Sequence, residues 1–110
     1  MKENDSLGEF EHVVLLAVLR LGDAAYGVTV RDELSRRTGR EPARGALYVT
    51  LDRLESKGYL ESRFGSGEPG RGGRPRRYFS LTAEGLATLD RTRRTFLALW
   101  QGIEWPTEPA

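Results

Sequence analysis

The sequence of 110 residues contains no cysteine, one histidine and one methionine. Without cysteine the chain can form no disulfide, and it offers no thiolate to a zinc ion or to a catalytic reaction. No apolar run approaches the roughly 18 residues that a membrane span needs, and acidic residues precede the short apolar run at 13–19. We therefore expect a cytoplasmic protein without a membrane anchor, a signal peptide or a disulfide scaffold.

The chain is also poor in the residues that catalysis requires. Its single histidine, His12, falls among apolar residues of the first predicted helix, a position more typical of a structural side chain than of a general base. Residues 65–70 match the spelling of the dinucleotide-binding glycine pattern, but a predicted strand follows them and no βαβ unit surrounds them. The sequence therefore predicts no enzyme, no catalytic residue, no cofactor and no metal site.

Basic charge is concentrated in one short segment. The chain has a net charge of +1, yet residues 59–82 hold five arginines against two glutamates. These arginines are Arg63, Arg71, Arg74, Arg76 and Arg77. The planar guanidinium group suits phosphate oxygens, and the glycines between the arginines permit a close approach to a nucleic-acid backbone. The segment is therefore predicted to bind DNA phosphates; the alternative is a solvated loop without a ligand.

Hydrophobic spacing, caps and turn residues predict the order helix, helix, helix, hairpin, helix. The helices are predicted to begin near Ser6, Asp23, Pro42 and Thr82, and to end at Gly22, Gly39, Gly58 and about Ile103. The strands are predicted at 59–64 and 76–81. The fold class is thus mainly α with a small β-hairpin: a winged helix-turn-helix over residues 1–82, followed by a C-terminal dimerisation helix and tail over residues 83–110.

The third helix, at about residues 44–57, is predicted to enter the major groove of DNA. Leucines at positions 47, 51 and 54 form its buried stripe and leave the opposite face free. The residues predicted to contact DNA from this helix are Arg44, Gly45, Tyr48, Val49 and Arg53.

Three side chains on this face have two interpretations each. Val49 either meets a thymine methyl group or is an ordinary exposed valine. Tyr48 either reaches a phosphate or packs against the hairpin. Asp52, which a phosphate would repel, either accepts a hydrogen bond from a cytosine amino group or pairs with a neighbouring arginine.

The last helix carries apolar residues at seven-residue intervals. The residues predicted to form a dimer contact are Leu86, Leu89, Phe96, Trp100 and Ile103, and Arg93 is the polar exception in the pattern. Pairing with a second copy would place two recognition helices on half-sites about 34 Å apart, as a palindromic operator in double-stranded DNA requires. The alternative is that the stripe packs on its own domain.

Several motifs together resemble the PadR-type transcriptional regulators. They lie at residues 7–11, at Tyr26-Gly27, and at 45–55, 57–60 and 72–82. The resemblance implies a homodimeric repressor in which the family's conserved tyrosine and basic pair correspond to Tyr48 and to Arg76 and Arg77. The single C-terminal helix is similar to that of the short members of the family. Because some of these bind flat apolar drugs between tryptophans, the resemblance also implies a small aromatic effector near Phe96 and Trp100.

A winged helix can also serve as a protein–protein interaction module. Such a module has no need for five arginines in its hairpin. The arginine-rich segment therefore favours DNA binding over this alternative.

Overall fold

A computed structural model describes residues 7–67 and 75–106. Within these ranges the chain forms four α-helices and a two-stranded antiparallel sheet, which confirms the predicted mainly helical fold with a β-hairpin. The helices are α1 (Glu9–Leu21), α2 (Gly27–Thr38), α3 (Arg44–Ser56) and α4 (Ala83–Trp100), and the strands are β1 (Leu60–Gly67) and β2 (Pro75–Leu81). No helix among the described residues combines the length and the apolar character that a membrane crossing requires.

The second helix begins later than predicted. Asp23 lies in a single turn of 3₁₀ helix, and α2 starts only at Gly27. Tyr26 is the N-cap residue, and its backbone N–H donates to the Thr29 hydroxyl at 3.0 Å. The short turn places Tyr26 beside the hairpin, where it forms a bridge with a residue of β2. The predicted start of the first helix, near Ser6, lies outside the described residues.

Glycines follow the ends of the helices, as predicted. Gly22, Gly39 and Gly58 have φ angles of 58°, 76° and 86°, which favour residues without a β-carbon. The predicted end of the last helix at about Ile103 is wrong. The chain leaves the helix after Trp100, since Gln101 adopts an extended backbone with a ψ of 131° and Gly102 a φ of 85°, so Ile103 is not part of α4.

The hydrophobic core lies where α1, α2, α3 and the hairpin meet. Its buried members are Val14, Leu15, Ala17, Val18, Ala25, Val30, Leu34, Leu47, Leu51, Leu54, Tyr59, Leu60, Phe79 and Leu89. The predicted leucine stripe of α3 is thus confirmed as the buried face of that helix. α4 begins at the N-cap residue Thr82, whose hydroxyl accepts from the Gly85 N–H at 3.0 Å, and its first half packs on the core through Leu89.

An ion-pair cluster joins α1 to α2. The buried carboxylate of Glu33 accepts hydrogen bonds from Arg20 of α1 and from Arg36 and Arg37 of α2. The bond from Arg20 contributes most to holding the pKa of Glu33 below its ordinary value, against the opposing effect of burial. Because three arginines surround one carboxylate, the cluster is expected to stabilise the contact between the two helices.

Candidate nucleic-acid interface

The face of α3 opposite the core is exposed along its whole length. All five residues predicted to contact DNA from this helix lie on the surface: Arg44, Gly45, Tyr48, Val49 and Arg53. Val49 is 55% exposed. The helix therefore presents a largely polar surface with Val49 as its largest exposed aliphatic side chain.

Two glycines near this face have opposite surroundings. A β-carbon built on Gly27 would lie 2.0 Å from the hydroxyl oxygen of Tyr48, so any side chain at Gly27 would displace the tyrosine. A β-carbon on Gly45 would have no atom within 4 Å. Gly27 is therefore explained by packing within the chain. Gly45, in the first turn of a helix that alanine would stabilise, has no such explanation within the described residues.

Tyr48 lies between α3, the start of α2 and the root of the hairpin. A cleft of about 330 Å³ separates these elements, and its lining includes Tyr26, Tyr48, Pro75 and Arg76. Tyr48 is partly exposed, and its hydroxyl lies against Gly27 at the start of α2. This helix N-terminus, with Arg76 lining the same cleft, suits a phosphate group.

Arg77 joins the hairpin to α3. Its guanidinium donates to Asp52 at 3.0 Å and to Glu55, both on α3, and its Nε donates to Ser62 of β1 at 3.3 Å. Partial burial acts to lower the pKa of Arg77, but the hydrogen bonds to Asp52 and Glu55 raise it overall. Of the two interpretations of Asp52, pairing with a neighbouring arginine is the one that the structure shows.

The Ser62 hydroxyl completes this junction by donating to Glu55 at 2.9 Å. Arg77 is thus engaged within its own chain, in contrast to the prediction of an arginine available to phosphate. The signal that could have revealed this was the presence of two carboxylates on α3, three residues apart, facing a strand with a basic pair.

Two other arginines of the hairpin lie over aromatic rings. The Arg76 guanidinium lies 4.4 Å from the centre of the Tyr26 ring, and that of Arg63 lies 5.1 Å from the centre of the Tyr78 ring. The two tyrosines pack edge to face against each other at 5.4 Å. Such cation–π contacts hold each guanidinium in place over its ring.

The sequence predictions did not include these supporting tyrosines. Arg76 and Tyr78 are two positions apart on one strand, and this spacing could have shown that they share a face of the hairpin. Arg71 and Arg74, the other two predicted phosphate contacts, lie outside the described residues.

The residues predicted to form the dimer contact divide into two groups. Leu89 is only 6% exposed and belongs to the core of its own domain, so it is not available to a partner. Leu86, Phe96, Trp100 and Ile103 are exposed. Leu86 lies on the outer side of the first half of α4, whose inner side packs on the core through Leu89, and the second half of the helix is exposed from residue 93 onward.

Aromatic contacts occur at both ends of this exposed half. Phe96 stacks on His12 of α1 at 6.3 Å, consistent with a structural role for the only histidine. Trp100 stacks on Trp105, with 5.5 Å between the ring centres. Within residues 7–67 and 75–106, no group of three or more His, Asp or Glu side chains is placed to hold a metal ion.

Comparison with known proteins identifies the family to which this combination of helices and basic hairpin belongs. Residues 15–91 match the family described as "Transcriptional regulator PadR-like family". The chain belongs to the PadR-like family. Membership makes it a DNA-binding transcriptional regulator, and the family is not one of enzymes.

Solved structures agree with this assignment. A PadR family transcriptional regulator from Eggerthella lenta DSM 2243 is 31% identical, with a TM-score of 0.67 over 86% of this chain and 81% of its own. RosR of H. salinarum is 25% identical, with a TM-score of 0.66 over 89% and 81% of the two chains. A transcriptional regulator from Clostridium thermocellum, 23% identical over 81% of each chain with a TM-score of 0.66, shares the fold. Among curated proteins no sequence match is found.

Proposed function

We propose that this PadR-like protein is a homodimeric repressor that acts in the cytoplasm on a palindromic operator. In this proposal α3 enters the major groove and the basic segment 63–77 follows the phosphate backbone. The observation that carries it is the junction formed by Arg77, which ties Asp52 and Glu55 of α3 to the hairpin. A helix and a hairpin joined in this way present one preorganised surface to the duplex.

The residues of this surface are proposed to make two kinds of contact, to base edges and to phosphates. Arg44, Gly45, Val49 and Arg53 are proposed to read the major groove. Arg63, Arg71, Arg74 and Arg76, with the Tyr48 hydroxyl, are proposed to bind phosphates. Arg77 is assigned a positioning role instead, because its hydrogen bonds go to its own helix and strand. Phosphate contacts supply affinity and orientation, whereas base contacts supply specificity.

Gly45 supports close docking of α3. Glycine inside a helix costs roughly 0.5–1 kcal/mol relative to alanine, and no neighbouring atom of the described chain requires its presence. A duplex that approaches the first turn of α3 would require it, since a β-carbon there would project toward the DNA.

The exposed end of α4 supports the homodimer. Phe96, Leu97, Leu99 and Trp100 are all exposed, so this part of the helix is apolar around most of its circumference. Leu16, on the exposed face of α1 one turn beyond His12, extends the same surface. A helix that is apolar on all sides requires burial, and a second copy would supply it for both partners at once.

The test is selection of binding sites from a random 30-base-pair duplex library by the wild-type protein. A two-fold symmetric consensus, with affinity falling steeply as salt rises from about 50 to 200 mM, is the expected result. Equal retention of random and selected duplexes would contradict sequence-specific regulation. Transcription in vitro from a promoter that overlaps the selected site should fall when protein is added, and a rise would contradict repression.

A small aromatic effector is a second proposal for the end of α4. Trp100 and Trp105 form an exposed stacked pair, and Phe96 lies one turn before Trp100. Both tryptophans of the chain lie in this region, so tryptophan emission reports on it alone. Titration with the planar cation ethidium, without DNA, should quench this emission by stacking. The quenching should be lost in Trp100→Leu, and an unchanged wild-type signal would contradict the proposal.

A further inference from the structure

Phe64 on β1 is the most exposed large apolar side chain of the winged domain among residues 7–65 and 75–82, at 67%. Isolated exposed apolar residues are common and need no explanation. This one, however, follows the exposed Arg63 and lies directly opposite Arg77 in the register of the hairpin. An aromatic ring without burial in the middle of a basic hairpin points to a nucleic-acid contact that electrostatics alone would not provide.

The register determines which way the ring is directed. Side chains alternate along a strand, so Phe64 lies on the same face as Ser62, and its cross-strand neighbour Arg77 shares that face. Both Ser62 and Arg77 form hydrogen bonds to Glu55 of α3, so this face of the hairpin is turned toward the recognition helix.

On β1, Phe64 is the next residue on this face after Ser62, and it lies level with Arg77. Its exposed ring therefore stands beside the junction between the hairpin and α3. A DNA strand contacted by both the helix in the major groove and the hairpin on the backbone would pass this position.

The apolar surface that such a strand offers is the deoxyribose between two phosphates. We propose that Phe64 packs on a deoxyribose of the strand lying between α3 and the hairpin, and that this ring anchors each half-site by an apolar contact. The inference rests on the DNA-binding function proposed above. It adds an uncharged contact to a surface otherwise described by its arginines, and so predicts a binding contribution that salt does not screen.

The test compares Phe64→Ala with its neighbour Arg63→Ala on the duplex selected by the wild-type protein. Burial of about half a phenylalanine side chain corresponds to roughly a tenfold change in affinity per half-site. Phe64→Ala should lose this factor equally at low and high salt and leave the slope of log affinity against log salt unchanged. Arg63→Ala should reduce that slope by about one per protomer, because a phosphate contact is lost.

Hydroxyl-radical footprinting gives a direct readout, since the radicals attack deoxyribose. Phe64→Ala should expose one or two sugars in each half-site that the wild-type protein protects, and Phe64→Leu should largely retain the protection. Unchanged affinity or an unchanged footprint in Phe64→Ala would overturn the inference, as would a reduced salt slope. Failure of the wild-type protein to select any duplex would instead contradict the proposed function, so the two failures are distinguishable.

Discussion

The hairpin junction and the end of α4 both lie at the surface, but they differ in whether their side chains find partners within the same chain. At the junction, Arg77 is bonded to Asp52 and Glu55. At the end of α4, by contrast, Leu97 and Leu99 are exposed and belong to no part of the described core. The side chains of the junction are held in place by partners in the same chain. The exposed leucines at the end of α4 need further apolar surface to cover them. In the proposed function, each protomer would carry a preformed DNA-binding surface, and pairing with a second copy would cover the apolar end of α4.

The largest effect is expected from a charge placed in the apolar end of α4. Leu99→Glu would require a carboxylate to be buried on dimerisation, at a cost of several kcal/mol. We expect the dimer dissociation constant to rise at least about 100-fold and operator binding to weaken accordingly. Sedimentation equilibrium measures the change. Gln101→Glu is the matched control, because it adds the same charge at an exposed polar position just beyond the helix. A Leu99→Glu dimer of wild-type affinity would show that a different surface pairs the protomers.

The second prediction concerns the junction. Arg77→Ala should lower the free energy of unfolding by about 1–2 kcal/mol, a value reduced for the exposure of Asp52. It should also weaken operator binding, because the hairpin is no longer fixed to α3. The salt slope should stay close to that of the wild type, since a positioning residue releases no counterions from DNA. Urea unfolding and binding at two salt concentrations measure these effects.

The salt slope of Arg77→Ala distinguishes a positioning role of Arg77 from a phosphate contact. A slope reduced by about one per protomer would mean that Arg77 contacts phosphate and that the junction opens on binding. Replacing both Arg76 and Arg77 by glutamate would not separate these two roles. It would place a new carboxylate beside Asp52 and Glu55 and disturb the junction itself.

The sequence was sufficient for the features that depend on local pattern. The leucine stripe of α3 follows from helical periodicity, and the end of α2 follows from Gly39. The features that it did not predict depend on contacts between distant segments. Arg77 meets Asp52 across 25 positions of the chain, and no local pattern distinguishes this arginine from one directed to solvent.

The same limit explains the misplaced end of the last helix. A seven-residue apolar repeat predicted helix as far as Ile103, but the backbone becomes extended at Gln101 and adopts a positive φ at Gly102. A repeat of apolar side chains does not predict these backbone angles. The repeat also could not show that Leu89 faces the core of its own domain, since an apolar stripe is equally suited to either partner.

The third prediction concerns the ion-pair cluster around Glu33, which should affect stability without affecting DNA binding. The pKa of Glu33 is lowered in the folded state, so its contribution to stability is present above about pH 4.5, the ordinary pKa of a glutamate, and is lost as the pH falls through the folded-state pKa. Glu33→Gln should lower the midpoint of thermal unfolding at pH 7, with a difference from the wild type that shrinks below pH 4.5. Operator affinity at pH 7 should not change. A difference independent of pH would show that the arginines of the cluster contribute little through charge.

The smallest effect is expected at Gly45, where substitution should change stability and DNA binding in opposite directions. Gly45→Ala should raise the free energy of unfolding by roughly 0.5–1 kcal/mol, because alanine favours the helix and its β-carbon meets no atom of the described chain. The same variant should bind the operator more weakly, because the β-carbon intrudes on the duplex. Gly27→Ala is the contrasting control: its β-carbon would collide with the Tyr48 hydroxyl, so stability and binding should fall together. If Gly45→Ala is more stable and binds DNA as well as the wild type, α3 does not approach the duplex through its first turn, and the exposed face of α3 is not organised for reading DNA in the way proposed.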